Sequence, residues 1–243
     1  MDNARSAALA ALLHVDVNEG YSNIVLDKTL ASFSLEQRDK ALASAIFYGV
    51  LERRITLDYV ISQFSKTPLK KMSPQVLEIL RMGAYQILYL EKIPQSAAVN
   101  ESVILAKEND AVKASGFINA VLRSLLRNIN HLKMPDAETD PLLSLSIRYS
   151  CPEWLIVLWQ EAYGKECAAS LLESIFLKPP VFARVNNTRI SEEHLIEKLN
   201  SENVKATAIT WIKHAVELQQ MGAVSQSASF QEGLFHIQDL SSQ

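Results

Sequence analysis

The stretch Ser73–Leu90, SPQVLEILRMGAYQILYL, decides the fold of the first half of the chain. Serine followed by proline is a helix start. The serine oxygen accepts a hydrogen bond from a free N–H of the first turn, and proline suits the first helical position, where no N–H is needed. From there Val76, Leu80, Gly83, Ile87 and Leu90 form one line, flanked by Leu77, Ala84 and Leu88. A stripe this wide predicts a helix that is largely buried. Gly83 in its middle costs about 1 kcal/mol against alanine, so a neighbouring helix is expected to come close there.

The shell for such a helix lies on either side of it. Asn3 to Val17 carries Ala7, Ala8, Ala11, Leu12 and Val15 on one face, and Ser22 reads as the cap of a second segment ending near Phe33. Ser34-Leu35-Glu36-Gln37 has the capping-box pattern; it opens a run with Leu42, Ala43, Ile46, Phe47 and Val50 in one stripe. Ile55 to Phe64 follows, and Lys66 to Met72, with Pro68, reads as a loop. Beyond Pro94, Gln95 to Lys107 is helical. Ser115 to Ile129 turns Ile118, Leu122, Leu125, Leu126 and Ile129 inward and places Asn119, Arg123 and Arg127 on one polar face. Residues 1–130 are therefore expected to form an all-α bundle of roughly seven helices, a size typical of one domain.

A polar linker with Pro135 occupies residues 131–144, and the character then changes. Asp140-Pro141 and Cys151-Pro152 open short helices, the second carrying Trp154, Leu155, Leu158 and Trp159. Gly164 breaks it, Lys165 to Leu177 is helical again, and Pro179-Pro180 is a hard stop. The period then falls to two. Val181–Asn186 reads as a strand with Val181, Ala183 and Val185 on one face and Arg184 and Asn186 on the other. Ser191 caps a helix with Glu192 and Glu193 in its first turn, where the helix dipole favours them, and Ala206 to Gln219 supplies one or two further strands. Residues 145–225 are expected to be a helical connector and a small α+β unit, half of a split βαβ arrangement. A last strand, Leu234 to Gln238, turns Phe235 and Ile237 to one side, and such an edge wants a partner.

Composition narrows the function classes. An apolar fraction of 48% supplies real cores, and 21% charged residues make an ordinary surface. No apolar stretch approaches the roughly 18 residues of a membrane helix, and the N-terminus lacks the basic start of a signal peptide. A cytoplasmic setting is the default, with no membrane partner. Cys151 and Cys167 make neither a disulfide framework nor a metal-ligand spacing. The net charge of −3 hides an asymmetry: residues 1–133 hold 16 Lys and Arg against 13 Asp and Glu, and residues 134–243 hold 8 against 14. The basic first half permits a local phosphate-binding face.

No Gly-rich phosphate loop occurs, and the five histidines are scattered without metal spacing. Cys151, at a helix start, is read as a small apolar neighbour of the cap rather than a nucleophile, because no base is placed beside it. Cys167, inside an apolar helix, is read as core. Arg53, Arg54, Lys70, Lys71, Arg123 and Arg127 are the basic candidates for RNA phosphate, each weighed against an ordinary solvated pair. Arg184 and Asn186 are candidates on the strand, weighed against structural salt bridges. Tyr85 and Tyr89, one turn apart, are weighed as a base-stacking platform against core packing.

Longer motifs then carry a resemblance. FYGVLERRITLDYVI, LEILRMGAYQILYLEKIPQSAAVNESVILAK and GFINAVLRSLLR resemble the NusB-like helical domain. YSCPEWLIVLWQEAYGKE, PPVFARVN and GLFHIQDLSSQ continue it in the order found in the bacterial RsmB (Sun/Fmu) family of ribosomal RNA cytosine-C5 methyltransferases. The resemblance implies a mainly α fold: a NusB-like RNA-binding bundle, then the connector and α+β unit. Residues 226–243 would lead into a Rossmann-like methyltransferase domain absent from this chain. It implies small-subunit ribosomal RNA as partner and S-adenosylmethionine as the cofactor of the intact protein, with none bound by these residues. The catalytic residues would lie downstream of Gln243. The implied chemistry is addition of a cysteine thiolate to cytosine C6, attack of C5 on the methyl group, loss of the C5 proton to a base, and release of the cysteine. Two alternatives stand beside it: a free-standing NusB-type RNA-binding or transcription-antitermination factor, and a helical protein-interaction module.

Overall fold

The structure, a computed structural model, describes residues 3–18, 21–177, 179–219, 221, 224 and 227–243. The chain divides into two compact units, Met1–Phe176 and Leu177–Gln243.

The first unit opens with seven helices: α1 (Ala4–Asn18), α2 (Ser22–Ser32), α3 (Gln37–Glu52), α4 (Arg54–Phe64), α5 (Pro74–Tyr89), α6 (Gln95–Glu108) and α7 (Ser115–Arg127). Helix α5 is the one whose stripe was widest. It packs against α1, α3, α4, α6 and α7, and Ser73 Oγ caps it by accepting from Val76 N–H. The close approach expected at Gly83 is present. A Cβ there would lie 2.5 Å from Leu122 Cδ1 of α7 and 2.8 Å from Ser102 Oγ of α6. Gly49 does the same on α3, where a Cβ would fall 1.9 Å from the Tyr85 ring of α5.

Because α5 is enclosed on all sides, it buries charges as well. Glu78, 1% exposed, accepts from Arg81 and from Arg54. Arg81 forks onto both oxygens of Asp58 at 2.7 and 2.6 Å. Arg54 also holds Asp16 of α1 at 2.6 Å. Burial pushes the Glu78 carboxyl up, against the pull of Arg81 and Arg54.

Two expected caps are not the observed ones. Helix α2 starts at Ser22 with Tyr21 in the cap position, and no side chain caps it. Helix α3 starts at Gln37, with Glu36 and not Ser34 at its cap. Phe33 and Leu35 both pack against the core, partly buried, and with them placed there the helix opens two residues later than the pattern predicts.

Helices α8 (Pro141–Tyr149), α9 (Glu153–Tyr163) and α10 (Lys165–Ser174) belong to this same compact unit. Ser150, left-handed at φ 51°, ends α8, and its hydroxyl accepts from Ile55 N–H in the first turn of α4 at 3.1 Å. The Thr56 hydroxyl donates to the Ile147 carbonyl. The Arg53 guanidinium lies 4.6 Å from the Tyr89 ring centroid and 3.4 Å from that of Phe176. These contacts carry the first unit past the polar linker to residue 176. Cys167, expected in the core, is exposed on α10: the buried line of that helix is Ala168 and Leu172.

The second unit is β1 (Val181–Val185), α11 (Glu192–Ser201), β2 (Lys205–Ala208), β3 (Ala215–Gln219), α12 (Ala228–Gln231) and β4 (Phe235–Ile237). The strand order is β2-β3-β1-β4 with every neighbouring pair antiparallel. This is the complete split βαβ arrangement and not half of it, because β4 lies beside β1 with Val185 opposite Phe235 and Ala183 opposite Ile237. The last strand thus finds its partner within the chain. Ala183, Val185, Ala206, Val216, Leu218 and Phe235 form the inner face and pack with Leu195 and Leu199 of α11. Glu202, just past α11, accepts from the Ser227 and Ser229 hydroxyls and fixes the start of α12.

The glycines give a direct test of the packing. Gly83→Ala and Gly49→Ala should each lower the unfolding free energy by about 1–3 kcal/mol through overpacking, although alanine is the better helix former. At Gly116, where a Cβ meets nothing within 4 Å, alanine should raise it by up to about 1 kcal/mol. Urea unfolding of the three variants checks this; equal shifts at all three positions would refute the close approach.

Candidate nucleic-acid interface

The basic residues singled out in the sequence fall into distinct environments. Arg54 is held by Asp16 and Glu78, and Arg53 is stacked on two rings. Both have intramolecular partners that account for them. Tyr85 and Tyr89 are packed against the core with their ring centroids 5.5 Å apart, so packing, not a free stacking platform, accounts for the pair. Lys70 and Lys71 are exposed on a short 3-10 turn, Leu69–Lys71, between α4 and α5. Arg123 and Arg127 are exposed one turn apart on α7.

Arg123 borders a groove that the sequence did not reveal. Helices α6 and α7 pack side by side, with Val99, Ser102, Leu105 and Ala106 of the first and Ile118, Val121, Leu122 and Leu125 of the second buried. That contact leaves a cleft of about 540 Å³ on their outer side. Asn100 and Lys107 of α6 line it together with Ser115, Asn119 and Arg123 of α7. No acidic side chain lines it. Arg123 Nε donates to Asn119 Oδ1 at 2.8 Å, which orders the guanidinium and leaves its other nitrogens for an outside acceptor. Lys107 and Asn100 carried no signal in their own helix. Their relation to Arg123 exists only after α6 and α7 pack.

On the second unit, Arg184 lies on the outer face of the sheet, in register with His236 of β4 and Ala215 of β3. Phe182, Glu217, Thr207 and Lys205 occupy the same face by the alternation of the strands. Arg184 Nη1 donates to the Gln243 carbonyl at 3.2 Å. Asn186 lies just past the end of β1 and is engaged locally. Its amide donates to the Gly233 carbonyl at 2.8 Å, and its oxygen accepts from the Thr188 hydroxyl at 2.7 Å. Asn186 therefore shapes the turn after β1, as asparagines commonly do.

Chemistry-bearing groups are few. Among the described residues no three His, Cys, Asp or Glu side chains are placed to hold a metal ion. Among the same residues no helix is long and apolar enough to cross a membrane. Cys151 is buried, and burial pushes its thiol up, away from the thiolate.

Residues 2–127 match the model of the NusB family, and residues 151–225 match that of the Methyltr_RsmF/B-like, ferredoxin-like domain. The chain is 34% identical over 240 residues to the probable ribosomal RNA small subunit methyltransferase B of Bacillus subtilis (strain 168), covering 99% of this chain and 53% of that protein. It is 32% identical over 245 residues to the protein so described in Synechocystis sp., covering 54% of it. It is 30% identical over 241 residues to ribosomal RNA small subunit methyltransferase B of Escherichia coli O1:K1 / APEC, again covering 54%. The chain spans about half the length of the curated relatives it matches. Among solved structures, the protein designated PH0851 shares the fold at a TM-score of 0.66 and 19% identity, over 98% of this chain and 52% of that one.

The two thiols should differ sharply in reactivity. A thiol-exchange reagent at pH 8 should modify Cys167 within minutes in the native protein and Cys151 only after denaturation. Following chromophore release with and without urea checks it; rapid modification of both native thiols would contradict the burial of Cys151.

Proposed function

Because the chain belongs to the NusB family, and because its second half matches a ferredoxin-like domain described for methyltransferases, we propose that it is the RNA-recognising half of a ribosomal RNA methyltransferase. The single observation that carries this reading is the co-occurrence of the two domains, in order, at residues 2–127 and 151–225 of a chain that aligns with its relatives over 99–100% of its length. A free-standing antitermination factor of NusB type has no need of the sheet unit.

The parent protein, in this reading, methylates C5 of a cytosine in small-subunit ribosomal RNA with S-adenosylmethionine as donor. Its nucleophile, base and cofactor loop belong to sequence that follows Gln243. Neither thiol here suits the nucleophile's role: Cys151 is buried with its pKa raised, and Cys167 is an exposed residue of α10 with no base assigned to it. The work of these two units is then to hold folded RNA in the cytoplasm while a base is unstacked for the chemistry.

The α6–α7 groove is the proposed phosphate-contacting surface. It combines Lys107 and Arg123 with amide and hydroxyl groups and excludes acidic side chains, which is the donor set that phosphate oxygens recruit. Arg127, Lys70, Lys71 and Arg184 extend the candidate set. A contact with protein is also favoured at one place: Trp154, Val157 and Leu158 are exposed together on α9, at helical spacings of three and four.

The test of the groove is binding of transcribed small-subunit ribosomal RNA across a salt series. Lys107→Ala and Arg123→Ala should each weaken binding and reduce the slope of log affinity against log salt by about 0.7–0.9. Wild-type affinity and slope in the double variant would remove the groove from the interface. The cofactor assignment has its own measurement. Calorimetric titration of these 243 residues with S-adenosylmethionine should give no binding heat, and a micromolar site would overturn that part of the reading.

A further inference from the structure

The two longest stretches of the chain without an acidic residue are 59–77 and 111–135. The first carries Lys66, Lys70 and Lys71, and the second carries Lys113, Arg123, Arg127 and Lys133. Far apart in sequence, they meet where α4 and α7 end. These two helices pack against one another and stop at Phe64 and Arg127. Gln63, in the last turn of α4, then binds the backbone of Lys133 twice. Its amide donates to the Lys133 carbonyl at 3.1 Å, and its oxygen accepts from the Lys133 N–H at 3.0 Å. This reciprocal pair ties the segment after α7 to the loop after α4.

Apolar side chains hold both segments down. Phe64, Leu69 and Met72 of the first, and Leu126, Ile129 and Leu132 of the second, pack against the core of the bundle. The cations between them stand in solvent: Lys66, Lys70, Lys71, Arg127 and Lys133 are all exposed. None of the five forms an ion pair among the described residues. Acidic residues resume at Asp136, and two of the first three are engaged locally. Asp136 accepts from the Glu138 N–H, and Asp140 accepts from the Leu143 N–H at the start of α8.

The aromatic residues of the two stretches are Tyr59, Phe64 and Phe117, and each is partly buried. This surface therefore offers charge without a stacking platform. Single-stranded RNA is held largely by stacking its bases on exposed rings. A duplex hides its bases and is recognised by its shape and its phosphates.

We propose that this end of the bundle is a second RNA surface and that it grips the phosphate backbone of a double-stranded segment. Lys66, Lys70, Lys71, Arg127 and Lys133 meet the phosphates, and Gln63 positions Lys133. The proposal rests on the reading of the chain as an RNA-recognising protein. It adds the form of RNA taken here, at residues that do not line the α6–α7 groove.

The test is anisotropy of a labelled RNA duplex of about 16 base pairs, enough to present two successive minor grooves, against oligouridylate of the same length. The duplex should bind several-fold more tightly at equal salt. Lys66→Ala/Lys70→Ala/Lys71→Ala/Lys133→Ala should reduce the slope of log affinity against log salt on the duplex by about 3–4. All four lysines are exposed, so the fold should survive, which circular dichroism verifies. Gln63→Ala removes no charge. It should weaken the duplex several-fold and leave oligouridylate unchanged, which a general loss of structure would not do. Lys107→Ala/Arg123→Ala should keep the preference for duplex. A quadruple variant with wild-type affinity and slope on the duplex overturns the proposal, and the broader reading stands if small-subunit ribosomal RNA still binds. Equal affinity for duplex and oligouridylate overturns the assignment of double-stranded RNA. Binding to phosphatidylserine vesicles without binding to the duplex overturns it in favour of a lipid surface. Absence of binding to any RNA at low salt overturns both readings together.

Discussion

The close approach of other helices to α5 is the constraint on which the first unit depends. Gly83 admits Leu122 and Ser102, and Gly49 admits the Tyr85 ring, at distances a side chain would forbid. A helix approached so closely from several sides has little surface left for water. Its charged residues must then be satisfied inside. Arg81 pairs with Asp58, Glu78 is shared between Arg81 and Arg54, and Arg54 reaches on to Asp16. Such a network contributes little net stability compared with apolar residues of the same size, but removing one member strands a buried charge at a cost of about 3–5 kcal/mol. Its effect is to fix how α1, α4 and α5 align.

The functional surface follows from that alignment. Helices α6 and α7 are drawn onto α5 at Gly83, and their inner faces are buried in the core. The angle at which they meet leaves Asn100, Lys107, Asn119 and Arg123 facing a shared groove. Basic residues of the same bundle that lie near α5 have internal partners. Arg54 joins the buried network, and Arg53 sits between Tyr89 and Phe176. Neighbours in sequence thus do unlike work from residues one helix away, and burial against α5 separates them.

In the second unit the corresponding constraint is the interleaving of strands. Strand β1 lies between β3 and β4, so the sheet is not complete until the last residues of the chain pair with it. Glu202 fastens α12 to the end of α11, and Asn186 fastens the turn after β1 to Gly233. With both ends of the sheet tied in this way, the β2–β3 loop and the first turn of α11 form a wall pair held by Glu192 and His214.

Much of this was legible in the sequence where a signal is local. The period of 3.6 in Val76–Ile87, the serine–proline start at Ser73 and the fall to a period of two after Pro180 are each written within a few residues, so helices, strands and their order could be read from them. Gly83 announced a close approach because a glycine mid-helix needs a reason. What the tertiary structure alone decided is which surfaces meet. The capping box at Ser34 yielded to the packing of the partly buried Phe33 and Leu35, and Cys167 came out exposed because Ala168 and Leu172 took the inner line of α10. Arg53 found Phe176 across the chain, and Lys107 found Arg123 across a helix pair. Local propensity is a matter of tenths of a kcal/mol per residue, whereas burying a large apolar side chain is worth about 1.5–3 kcal/mol. Where the two disagree burial prevails, and burial is a property of the packed chain.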